Sequence, residues 1–103
     1  MSRKYNVVVS KEATEMLISC AEFLARVSES AAERLVCEFE NTIGSLEDMP
    51  ERCPRYTNEF LLHKLYRYVI FEKRYCALFS VESDNVYVDY VIDTREDNTR
   101  YFV

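Results

Sequence analysis

Residues 65–92 read LYRYVIFEKRYCALFSVESDNVYVDYVI, and this stretch decides the fold. It is rich in Val, Ile, Tyr and Phe, the residues that fit a pleated, half-buried surface. Two polar clusters divide it, Glu72-Lys73-Arg74 and Glu82-Ser83-Asp84-Asn85. Three strands are therefore predicted, near Leu65–Phe71, Tyr75–Val81 and Val86–Ile92, joined as antiparallel hairpins. Tyr75, Ala77, Phe79 and Val81 share one face of the second strand. In the third, simple alternation places Val86, Val88, Tyr90 and Ile92 on one face and Tyr87, Asp89, Val91 and Asp93 on the other.

Upstream, the pattern changes from period 2 to period 3.6. After a short β-rich run, Tyr5–Val9, Ser10 offers an N-cap with Glu12 in the first turn. Ala13, Met16, Leu17, Cys20, Phe23, Leu24 and Val27 then recur at the spacing of one helical face. Ser28-Glu29-Ser30 breaks this run, and Ser30 with Glu33 has the form of a capping box. A second stripe follows: Ala32, Leu35, Val36, Phe39, Ile43 and Leu46. Pro50 ends it. Helices joined by two or three residues form an antiparallel hairpin. Glu51 to Lys64 reads as a loop. The expected fold is α+β: an N-terminal strand and an antiparallel two-helix hairpin packed on a mainly antiparallel four-stranded sheet.

The 103 residues suit one domain over residues 1–103. No apolar run reaches the roughly 18 residues of a membrane span, and the basic start lacks an apolar signal segment; a cytoplasmic protein with no membrane partner is expected. Cys20, Cys37, Cys53 and Cys76 contain no C-x-x-C pair, so no metal site is expected, and no cofactor motif occurs. The net charge of −5 opposes non-specific nucleic-acid binding by the whole surface. Residues 51–76, however, carry six basic and three acidic side chains, and are the one segment suited to phosphate or to an acidic partner.

The segment order and several short motifs resemble the RelE/ParE superfamily of bacterial toxins from type II toxin–antitoxin modules. Tyr5, Val7, Ser10 and Ala13 match the family's opening pattern. Leu46-Glu47-Asp48-Met49-Pro50 is similar to its turn after the second helix. Tyr75 to Val81, Val86-Tyr87-Val88 and Thr94-Arg95-Glu96-Asp97 look like its closing strands and tail. The resemblance implies a cognate antitoxin as partner. It implies one of three activities: cleavage of mRNA on the ribosome, as in RelE-like members; non-enzymatic inhibition of DNA gyrase, as in ParE-like members; or antitoxin binding without toxicity.

For the RelE-like activity, the resemblance points to Arg95 and Tyr101 as the catalytic pair, six residues apart after the last strand. Attack of a 2′-hydroxyl on the adjacent phosphate needs proton transfer and stabilisation of phosphate charge, and arginine offers planar paired donors for the latter. Arg67, Lys73 and Arg74 are candidate phosphate contacts. Where RelE-like sequences carry an arginine after the strand tyrosine, this chain has Cys76. Where other relatives carry a histidine at the end of the last strand, it has Asp93. His63 reads as a surface or satisfied histidine rather than a general base, and Glu33, Glu38 and Glu40 as solvent-facing.

Overall fold

In the computed structural model, which describes residues 4–56 and 65–94, five strands and two helices form the α+β layers expected. Strand β1 (Asn6–Val9) leads into α1 (Lys11–Ala25) and α2 (Glu29–Ser45). A 3-10 turn at Pro50–Arg52 precedes β2 (Arg55–Tyr56), followed by β3 (Tyr66–Phe71), β4 (Tyr75–Glu82) and β5 (Asn85–Asp93). The sheet order is β1-β5-β4-β3-β2. β1 runs parallel to β5, and the other pairs are antiparallel. β2 is a fifth strand within the segment read as a loop. Two residues are too short for an alternation signal, and pairing with Tyr66 and Arg67 alone makes them a strand.

Both helix starts are capped. The Ser10 hydroxyl accepts from the Ala13 amide at 2.9 Å and donates to the Asp89 carbonyl at 3.3 Å, tying α1 to β5. At α2 the cap is Ser28, which accepts from the Ala31 amide at 3.2 Å. The expected Ser30–Glu33 box is thus displaced by two residues, because Ser28 has the extended backbone (φ −158°, ψ 114°) that an N-cap requires, and Ser30 is already inside the helix. The end of α2 is held by Arg52, whose Nη1 donates to the carbonyls of Ser45, Asp48 and Met49.

The helices cover one face of the sheet. Ala13, Leu17, Leu35, Phe39 and Leu46 meet Phe71, Tyr75, Ala77, Phe79, Val86, Val88 and Val91 in the main core. Phe39 packs edge-on against Phe71 with ring centroids 5.5 Å apart. Full burial of side chains such as Leu35 and Phe79 stabilises the fold by about 1.5–3 kcal/mol each. Two positions of the first expected stripe lie outside this core: Phe23 is 61% and Val27 86% exposed. The seam toward the sheet follows Ala13, Met16, Leu17, Cys20, Ala21 and Leu24; Phe23 falls outside that seam, and α1 stops at Ala25, before Val27.

The alternation read for the last strand is also corrected. Leu78 pairs with Tyr90 and Phe79 with Val88, so Asp89 is an extra residue opposite no partner. This β-bulge moves the chain by one residue and inverts the faces beyond it. Val86, Val88 and Val91 face the helices, whereas Ile92 and Tyr90 join Tyr66, Cys76 and Leu78 on the opposite face.

Candidate functional site

Outside the main core, charged and aromatic residues of the sheet gather in three places. The first is the open edge formed by β2 and the start of β3. Arg55 and Arg67 are directly paired across these strands. A surface cavity of about 170 Å³ lies here, lined by Glu51, Arg55, Leu65, Arg67 and Val81. Nη1 of half-buried Arg67 donates to the carbonyls of Glu51 (3.1 Å) and Cys53 (2.6 Å), anchoring the 3-10 turn to β3. Arg55 is exposed and makes no hydrogen bond or ion pair among the described residues. Burial raises the Cys53 thiol pKa, and the nearby guanidinium groups of Arg52 and Arg67 oppose that shift.

The second place is the β3–β4 turn, which holds Lys73 and Arg74. Glu72 and Lys73 adopt left-handed backbone angles (φ 49° and 69°). The Arg74 carbonyl accepts from both the amide and the hydroxyl of Thr94 at 2.8 Å, which ties the turn to the end of β5. Glu72 accepts from Arg34 Nε of α2 at 3.1 Å. The turn is therefore braced against both the helices and the last strand.

The third place is the sheet face opposite the helices. Tyr56, Tyr66, Tyr68 and Tyr90 gather there over buried Cys76 and Leu78. Tyr66 meets Tyr90 at a centroid distance of 5.8 Å, and Tyr56 meets Tyr68 at 6.1 Å. The Tyr66 hydroxyl donates to Asp89 Oδ2 at 2.6 Å. Burial, then the adjacent Asp89 carboxylate, push the Tyr66 phenol well above its ordinary pKa. Burial also pushes the Cys76 thiol and the Tyr56 phenol up to about 12. These groups stay protonated and neutral near pH 7, so none is poised for proton transfer there.

The candidate phosphate contacts lie at two different places. Arg67 sits at the open edge and Lys73 and Arg74 beyond the other end of β3; Arg67 to Phe71 alone spans roughly 13 Å of strand. Arg95, Tyr101 and His63 lie outside the described residues. Cys76 is wholly buried and offers no contact in place of the arginine. Sequence reasoning missed Arg55 as a site residue, because only the pairing of β2 with β3 places it opposite Arg67. It also missed the Tyr66–Asp89 contact, which depends on the bulge. Among the described residues no cluster of His, Cys, Asp and Glu has the makings of a metal site, and no helix is long and apolar enough to cross a membrane.

A sheet of this order, with a helical hairpin on one face, is the architecture of the small toxins of toxin–antitoxin modules. The family model described as the ParE toxin of the type II toxin–antitoxin system parDE matches residues 7–98, and the chain belongs to that family. Among solved structures it is similar to the chromosomal ParDE toxin–antitoxin system from P. aeruginosa, with a TM-score of 0.71 at 12% identity, over 89% of this chain and 98% of that one. At that identity the likeness concerns the fold. No curated protein matches the sequence. Membership of a two-component family implies a cognate antitoxin as partner.

Proposed function

We propose that this protein is a ParE-type toxin that acts by binding DNA gyrase, without RNA cleavage, and that a cognate antitoxin neutralises it. The observation that carries this reading is the separation of Arg67 from Lys73 and Arg74 across β3, with Arg67 already engaged by two backbone carbonyls. Cleavage of RNA requires cations and a proton donor converging on one phosphate. Arg67 does not converge with Lys73 and Arg74, and Tyr66 and Cys76 of the tyrosine face are held neutral. The net charge of −5 adds to this, since an enzyme of ribosome-bound RNA gains from a positive field.

A supercoiling assay with purified gyrase tests the proposal, alongside cell-free translation with mRNA ends read by primer extension. Loss of supercoiling with intact mRNA is expected. Cuts within codons on the ribosome, with gyrase unaffected, would overturn the reading.

The second reading is ribosome-dependent mRNA cleavage, favoured by the six-residue spacing of Arg95 and Tyr101. There Arg95 holds the scissile phosphate, Tyr101 transfers a proton or stacks on a base, and Arg67, Lys73 or Arg74 adds phosphate contacts. Arg95→Ala and Tyr101→Phe each abolish toxicity under this reading and leave gyrase inhibition intact under the first. Harmless overexpression without the antitoxin marks the chain as an antitoxin-binding relative instead.

A further inference from the structure

We propose that Arg55 and Arg67 form a carboxylate-binding subsite for an extended acidic peptide that adds to the open edge of β2. Four observations converge on it. First, Arg55 and Arg67 stand opposite each other, and like charges directly opposite on a sheet repel unless an anion lies between them. Second, the Tyr68 amide donates to the Pro54 carbonyl at 3.1 Å. That bond flanks the Arg55–Arg67 pair and makes it a non-hydrogen-bonded pair of the antiparallel ladder, in which side chains lie close. The backbone N–H and C=O of Arg55 consequently point away from β3, toward the side of β2 on which no strand lies among the described residues.

Third, the donors have capacity to spare. Nη1 of Arg67 is engaged, but its Nε and Nη2 groups have no partner among the described residues, and neither does the Arg55 guanidinium. Two planar donor forks can hold a carboxylate from both sides. Fourth, the surroundings suit a peptide more than a bare ion. Glu51, Leu65 (74% exposed) and Val81 line the same cavity, and Glu51 accepts from the Tyr5 hydroxyl at 3.4 Å. A strand carrying an acidic residue at one position, set on the two arginines, and an apolar one two places away, set on Leu65 and Val81, fits this lining. Residues 51–76, with three more basic than acidic side chains, form a basic segment in an otherwise acidic chain, which selects an acidic partner over a neutral one. Strand addition of this kind draws affinity from main-chain bonds and specificity from alternate side chains.

The site rests on the toxin–antitoxin reading for the source of the peptide, the antitoxin, but its chemistry is testable without that reading. The probe is a fluorescein-labelled, end-capped peptide with Thr at odd positions and Val and Glu alternating at even ones. Its control has Gln for Glu, and a labelled oligodeoxythymidine of similar length stands for nucleic acid. Fluorescence anisotropy at low salt should show the Glu peptide binding about tenfold more tightly than the Gln peptide, as two charge-assisted contacts provide. Arg55→Gln should remove that difference and Arg55→Lys restore part of it, with circular dichroism showing both variants folded. The Arg67 Nε–H resonance should shift with the Glu peptide alone. Equal binding of the two peptides, unchanged selectivity in Arg55→Gln, or tighter binding of the oligonucleotide would overturn the proposal. A protein that selects the Glu peptide yet spares gyrase and mRNA keeps this site and loses its proposed target. One that inhibits gyrase without Glu selectivity keeps the target and loses the site.

Discussion

The Tyr66 hydroxyl and Asp89 Oδ2 are 2.6 Å apart, although Tyr66 is on β3, Asp89 on β5, and β4 lies between them. The contact exists because Asp89 is the bulge residue, standing opposite no partner in the β4–β5 ladder. Tyr66 is 2% exposed, so its hydroxyl cannot turn to water instead. Tyr66→Phe is expected to lower the unfolding free energy by about 1.5–3 kcal/mol, the range for a hydrogen bond to a charged group. Urea denaturation measures it; an unchanged midpoint would mean that Asp89 is equally well served without the phenol.

Alkali should unfold this protein early. Cys76 ionises near 9.0 when free and at about 12 in the fold, because burial opposes its thiolate. Tyr56 is likewise raised from 10.0 to about 12, and Tyr66 is raised as well. Groups whose pKa is raised in the folded state contribute stability that is complete below the unfolded pKa and is lost as pH climbs to the folded one. Urea midpoints should hold steady to about pH 9 and fall between about 9 and 12. In Cys76→Ala the decline should start at the same pH but be shallower, because Cys53, also raised from 9.0, and the tyrosines still contribute.

Ser80 is 3% exposed and its hydroxyl has no hydrogen-bond partner among the described residues. A buried, unpaired polar atom is destabilising, and removing it recovers the cost of its desolvation. Ser80→Ala is expected to raise stability by about 1 kcal/mol. A fall in the thermal midpoint would show that the hydroxyl is satisfied in solution.

Lys73 has a left-handed backbone (φ 69°) without being glycine, a conformation that costs an ordinary L-residue about 1 kcal/mol. Lys73→Gly should stabilise the fold by about 0.5–1 kcal/mol. If Lys73 is also remote from the chemistry, as its place at the β3–β4 turn implies, gyrase inhibition should be unchanged. A stabilised but inactive Lys73→Gly variant would return the turn to the functional surface.

Ser10 links two layers, since it accepts from the Ala13 amide and donates to the Asp89 carbonyl. Ser10→Ala should cost about 1–2 kcal/mol, toward the upper part of the range for an N-cap. Hydrogen exchange should quicken both in the first turn of α1 and around the bulge. Quickening in α1 alone would show that the link to β5 carries no energy.

Local pattern and tertiary pairing contributed differently to what is known of this chain. The sequence by itself determined the two helices, the hairpins of β3, β4 and β5, the α+β class and the toxin family, because each is written in residues close along the chain: a 3.6 period, a 2 period, caps at Ser10, breaks at Pro50 and Glu72–Arg74. It also marked residues 51–76 as the basic segment. Only the tertiary structure decided that Ser28 caps α2, since two nearby serines compete and backbone geometry selects between them. Only the tertiary structure placed Tyr90 and Ile92 on the far face, since a bulge is an extra residue relative to a partner strand and leaves no mark on its own strand. The same holds at the candidate site. Arg55 and Arg67 are twelve positions apart, and Lys73 is nearer to Arg67 in sequence. Strand pairing nonetheless brings Arg55 to Arg67, while the extended backbone of β3 carries Lys73 away.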